Sequence, residues 1–404
     1  MIDIIFSIIL LALIGIGIGI ITGLTPGLHV NTIAIIGFTS FSVIGLEPLE
    51  FAVVMVAMAV THTFLDFLPA IFLGAPEEET ALCVLPTHKL FLEGKALEAV
   101  NLTAIGSLLG LVFGLLLLIP ALYIVPFAYN GLRDSMAYIL IIAAVILILR
   151  ERIFIKIISA LLVFLMAGYL GILIFDQKLL SAMQILFPVF VGLFGLSNII
   201  ASLNEGTVAV PQNLFIKPKL KKKFIRAGFL GALGGAIVGL LPAVSPSQVG
   251  ILMYELFGAN FKSFLVTISA INTSDAIYSI AAIYTIGNAR SGVAVMIDKV
   301  IGIDFNILII LVGVMAFTAF FATYLHLKIG KLMAKYIEKI NYRKLCICSI
   351  GFILVLVYVF TGIFGVLLAL LSMTIGLLPI LMGVSRTQVM GVLIVPTALY
   401  FLGI

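Results

Sequence analysis

Apolar stretches of about 18 residues or more, each able to cross a hydrocarbon core roughly 30 Å thick, recur from Ile4 to the C-terminus. No other feature restricts the fold as strongly. In lipid every backbone N–H and C=O has to be paired within the protein, which leaves helices and closed barrels. The alternating pattern of barrel strands is absent from this chain, which is 63% hydrophobic and 10% charged. The expected fold is an all-α polytopic membrane protein of roughly 10–12 transmembrane segments.

The first apolar run has no basic residue before it and no small-x-small cleavage site, so it reads as a retained span. Cys83, Cys346 and Cys348 form neither a disulfide framework nor a metal motif, and read as apolar thiols. The net charge of +5 resides largely in two stretches. One runs from Lys217 to Arg226 and the other from Lys328 to Lys344, and the positive-inside rule makes both cytoplasmic. They mark membrane topology, not nucleic-acid binding. The second carries an apolar stripe and is expected to lie along the membrane surface. Alternation of the smaller loops predicts helices near 135–149, 157–175 and 180–203.

Self-similarity is the next constraint. "GIGIGIITGLTPG" from Gly15 aligns without gaps on "GALGGAIVGLLPA" from Gly231, matching Gly15, Gly19, Gly23 and Pro26 with Gly231, Gly235, Gly239 and Pro242. Further on, the stretch from His62 to Thr80 parallels that from Asn272 to Ser291, each polar, then apolar, then broken by glycine. The segment after Pro188 resembles that after Pro379. Two halves follow, 1–205 and 227–404, joined by a basic cytoplasmic linker at 206–226. Their unequal flanking charge is what an inverted-topology repeat predicts.

A proline and glycines within a span release backbone groups that survive only inside protein or facing water. They create a helix N-terminus at membrane depth, carrying about half a positive charge and suited to an anion. Around the first break stand Thr25, Pro26, Gly27, His29 and Asn31; around the second, Pro242, Ser245, Ser247 and Gln248. Asn288 and Arg290 at a third break are further candidates for binding a carboxylate, Arg290 bidentately. Asp66, Glu77 and Asp275 are candidates for a coupling cation. Helix capping for the two aspartates, and a solvated loop for Glu77–Glu79, remain open. Arg386 is another charge at membrane depth. No metalloprotease, serine-hydrolase or P-loop motif occurs, and the four histidines are scattered, so an enzyme is not expected and no metal site is read.

The order of these elements resembles a family. A G-rich span ends in G-L-x-P-G; "FLGAPEEETALCVLPTHKLFLEGKALEAVNLTAIGSLLG" follows from Phe72, and then a second G-rich span ends in proline. This looks like the large membrane subunit of tripartite tricarboxylate transporters (the TctA family), in a short form. Pro76, Thr80, Ala81, Leu82, Gly94, Lys95, Ala96, Ser107 and Gly110 carry the likeness. The resemblance implies a cation-coupled carrier for carboxylate anions, with a small membrane subunit and an extracytoplasmic binding protein as partners.

The combined expectation is a secondary active transporter in the cell membrane for a small organic anion, a di- or tricarboxylate. It would bind substrate between paired broken-helix tips and couple to Na+ or H+, with no other cofactor. The bilayer and the anion are its expected partners, and a homodimer stays open. The rival readings are a translocase of a phosphorylated polyprenyl lipid and a membrane-embedded enzyme without a recognisable motif.

Overall fold

The computed structural model describes residues 2–403 except 26–27, 29, 74–79, 81–82, 133–134, 178, 181, 205–209, 218, 241–245, 247–248, 251–252, 254–259, 288 and 340–341. Helices make up the regular structure of the described residues, among which there is no strand. The principal helices are α1 (Ile2–Leu24), α2 (Val30–Thr39), α3 (Pro48–Leu65), α4 (Ala96–Leu116), α5 (Met136–Leu149) and α6 (Phe154–Asp176). They continue with α7 (Ala182–Phe190), α8 (Lys222–Leu240), α9 (Phe261–Ile286), α10 (Gly292–Val300), α11 (Phe305–Tyr336), α12 (Tyr342–Met382) and α13 (Gly391–Leu402). Among the described residues, seven helices are long and apolar enough to cross a membrane, and three shorter apolar helices accompany them. The chain is a multi-pass membrane protein.

Two compact units form, and each draws on both sequence halves. The first contains Met1–Phe127, Val208–Leu241 and Ser245–Asn341; the second contains Ala128–Thr207 and Tyr342–Ile404.

In the first unit, small-residue stripes set the packing. Hydrophobicity does not drive helices together in lipid, so close backbone approach does. Gly15, Gly19 and Gly23 of α1 rest on Val54/Ala57, Met58/Thr61 and Leu65/Asp66 of α3 and its C-cap. Gly231, Gly235 and Gly239 of α8 rest in the same way on Thr267/Ala270, Ile271/Ser274 and Asp275/Tyr278 of α9. The sequence repeat is therefore also a repeat of packing register, and it pairs His62 with Asp275. The sequence parallel had set His62 against Asn272, almost one turn earlier. Apolar segments align ambiguously at that resolution, whereas backbone contact does not.

The contact order also gives helix directions. Along both glycine stripes partner numbers rise together, so α1 runs with α3, and α8 with α9. Gly37 of α2 lies beside Phe51 and Met55, near the start of α3, so α2 runs back. The break between Leu24 and Val30 is thus a reversal between two arms, not an unwound point in a straight span. A third stripe, Gly106, Gly110 and Gly114 of α4, meets Val266, Ala270 and Ile277 of α9, and these two helices run together. The converse pairing exists as well, since α11 packs on α3.

The basic segment from 326 to 336 continues a longer helix. It is the tail of α11, whose 32 residues span about 48 Å. His326, Gly330 and Ala334 form a buried stripe; His326 Nε2 lies 3.0 Å from Thr103 Oγ1, and Gly330 meets Val100 and Leu68. The buried face is thus one of small residues and a histidine, while Leu332 and Tyr336 of the apolar stripe are exposed.

The linker between the halves docks on the turn that opens α4. Asn213 N–H donates to the Gly94 carbonyl at 2.9 Å, and Gln212 Oε1 accepts from Ala96 N–H at 2.9 Å. Gly94 has φ +71°, and a Cβ there would lie 2.9 Å from the Pro211 carbonyl oxygen. Glycine is required on both counts. The exposed Lys95 donates to Glu93 and holds that carboxyl below its usual range. The G-K-A segment thereby has a structural task, receiving the linker.

In the second unit, α5, α6, the run from Ala182 through a π-helical segment (Val191–Leu196) to Asn204, α12 and α13 share an apolar core. The expected helices near 135–149, 157–175 and 180–203 are present there. Gly362, with φ +65°, divides α12 into two helices. Arg386 opens a short 3-10 turn whose Gln388 is fully buried and donates to the Leu147 carbonyl.

Candidate functional site

Where α3 and α9 cross, midway along the apolar spans Pro48–Phe72 and Phe261–Ile286, the first unit holds a cavity of about 70 Å³. By the measure in which one water needs roughly 10–15 Å³, this holds about five waters or one small polar group. Five positions of α3 line it, and for three of them, Ala59, His62 and Thr63, the register equivalents on α9, Asn272, Asp275 and Ala276, line it too. Asn31 of α2, with Ser291 and Val293 at the start of α10, completes the polar part. The lining residues of α3 and α9 lie within two of the helical runs long and apolar enough to cross a membrane, where polar groups are costly and usually functional.

His62 Nδ1 lies 3.1 Å from Thr22 Oγ1, and the single Thr22 hydroxyl proton is directed to the Gly19 carbonyl at 3.2 Å. With the Thr22 proton on that carbonyl, Thr22 accepts from Nδ1–H, the tautomer in which Nε2 carries the lone pair of the neutral ring. Asp275 Oδ1 accepts from Ser279 Oγ at 3.3 Å. Asp66, 1% exposed, does not line the cavity. It stands one contact behind, with Oδ2 accepting from Asn272 Nδ2 at 2.8 Å, and so orients an amide that does.

The N-terminus of α10 forms one wall. Asn31 Oδ1 accepts from Val293 N–H at 3.2 Å, and Ser291 Oγ accepts from Ala294 N–H at 3.2 Å. Two first-turn donors are thus held by side chains that an anion would have to displace. Asn31→Ala is expected to lower stability by about 1 kcal/mol, as loss of a helix cap does. A detergent unfolding curve coinciding with wild type would contradict this.

Of the residues singled out from sequence, Asn31 and Asp275 meet in the cavity and Asp66 supports it. Arg290 is half-buried and immediately precedes Ser291. Thr25 lies in the turn after α1, its carbonyl accepting from Leu28 N–H at 3.1 Å, and does not line the cavity. Pro26, Gly27, His29, Glu77, Pro242, Ser245, Ser247, Gln248 and Asn288 lie outside the described residues. The structure adds His62, Thr63, Asn272 and Ser291. Their signal was present as polar residues on otherwise apolar helices, but only the helix crossing selects the face that meets.

The model of the tripartite tricarboxylate transporter TctA family matches residues 9–391. An uncharacterized protein of Methanocaldococcus jannaschii is 30% identical over 400 residues, covering 98% of this chain and 99% of the relative. No solved structure matches. With nearly its whole length matched, the chain belongs to the tripartite tricarboxylate transporter TctA family.

Proposed function

We propose that the chain is a secondary active transporter that carries a small organic anion, a di- or tricarboxylate, across the cell membrane, driven by a proton or sodium gradient. The observation that carries this reading is the cavity lined by equivalent positions of two repeated helices at membrane depth. Transporters built from inverted repeats place their sites at such a crossing.

Helix order supports the inverted relation. The stretch after α3 and the tail of α11 meet at Leu68 and Gly330, and α4 begins at that same end, with Val100 against Gly330. Glu98 and Lys262 pair where α4 and α9 start. Thus α3 runs toward the end from which α9 departs. With the basic stretches cytoplasmic, α3 runs inward and α9 outward.

The helix start at Ser291–Val293, its partner Asn31 and the adjacent Arg290 are the groups suited to a carboxylate. The cavity fits one carboxylate group with a few waters, so admitting a whole tricarboxylate requires the site to open, as alternating access would do. A small membrane subunit and an extracytoplasmic binding protein would then serve delivery.

Proteoliposomes holding the purified chain test the reading with labelled citrate and succinate, under imposed sodium or pH gradients. Gradient-dependent uptake of at least one is expected. No uptake under either gradient, together with no carboxylate-dependent rise in unfolding temperature, would overturn it.

A further inference from the structure

His62 and Asp275 stand at the same position of the repeated helices, yet one is a base and the other an acid. Their neighbours on the glycine stripes are more alike: Ala57 matches Ala270, and Thr61 matches Ser274. At this pair the two halves have diverged into complementary proton-binding groups, and both side chains line one cavity. We infer that His62 and Asp275 form the proton-carrying pair of the transporter, and that the coupling ion is a proton. This deepens the transport reading and rests on it.

The chemistry balances simply. With the cavity open to water, a hydronium ion donates to Nε2 of His62, the lone-pair nitrogen left by the Nδ1–H bond to Thr22. An N–H bond forms, an O–H bond breaks and water leaves. The pair passes from neutral imidazole with carboxylate, net −1, to imidazolium with carboxylate, net zero. A net charge at membrane depth is costly, and the protonated pair removes it. Release on the other side reverses the step, the Asp275 carboxylate keeping the imidazolium oriented meanwhile.

The ionisable groups around the pair are few among the described residues. Asp66 lies one turn beyond His62 on the same helical run and is engaged with Asn272. Arg290 precedes Ser291 in the lead to α10. His326 of α11 is directed at the Val100 carbonyl, 3.1 Å from Nε2, and at Thr103. Neither α1 nor α2 places an ionisable side chain on the cavity.

The experiment counts protons per substrate in sodium-free proteoliposomes loaded with a pH-sensitive dye, the membrane potential being clamped. Carboxylate entry through the wild type is expected to acidify the lumen, with about one proton per substrate traceable to this pair. His62→Gln and Asp275→Asn should each lower that ratio by about one, whatever their rate. Thr22→Val, away from the cavity, should shift the pH profile of uptake toward lower pH, because imidazolium donates to a hydroxyl more strongly than neutral imidazole does.

Carboxylate uptake without lumenal acidification would overturn the inference while leaving transport standing. So would an unchanged proton ratio in either cavity variant, or an unmoved profile in Thr22→Val. Absence of carboxylate uptake by the wild type under any gradient would instead overturn the transport reading itself.

Discussion

Replacing Gly110 by valine is expected to be among the most damaging single changes in the protein. A Cβ at that position would lie 2.6 Å from the Ala270 Cα and 2.9 Å from its carbonyl carbon. These are backbone atoms of α9, unable to rotate away, so α4 and α9 must separate along the whole Gly106–Gly114 stripe. Overpacking costs roughly 1–3 kcal/mol where side chains can adjust, and rigid backbone puts this case at about 3 kcal/mol or more. The detergent unfolding midpoint should fall by roughly 5–10 °C. Gly17→Val is the control, since nothing lies within 4 Å of a Cβ there; it should leave the midpoint within about 2 °C of wild type. Equal midpoints for the two variants would show that α4 and α9 do not meet through these glycines.

Asn272→Leu has the second largest expected effect, and it acts through charge. The Asn272 amide donates to Asp66, whose carboxyl group is almost completely shielded. Leucine has a similar volume but no donor, so Asp66 loses a hydrogen bond to a buried acid, worth about 1.5–3 kcal/mol. Removing one member of such a pair costs more than removing both. The double variant Asp66→Leu/Asn272→Leu should therefore be more stable than the two single effects predict, by about 1.5 kcal/mol or more. Strictly additive losses would mean that the bond contributes nothing.

Much of this architecture is legible in the chain. The helices at 136–149, 154–176 and beyond 182 follow from hydrophobic length, because each helix closes its hydrogen bonds within itself. The glycine stripes were visible as two aligned runs, and small residues at that spacing call for a close neighbour. The tail of α11 was legible as a basic helix, but its buried face of His326, Gly330 and Ala334 was not, because Thr103, Val100 and Leu68, which it meets, lie more than two hundred residues away. The G-K-A segment was visible as a motif, but its task was not, because the linker that it receives is more than a hundred residues away.

Local interactions thus allowed the sequence to determine the membrane class, most helices, the break after Leu24 and the family resemblance. Only the tertiary structure decided which polar side chains meet. Asp66 and Asn272 are 206 positions apart, and their contact depends on the rotation and register of two long helices. A shift of one residue turns a helix by about 100° and sends His62 or Asp275 away from the cavity. No local pattern encodes that rotation. It is set by the glycine stripes, which fix how α1 lies on α3 and α8 on α9, and by the crossing of α3 with α9.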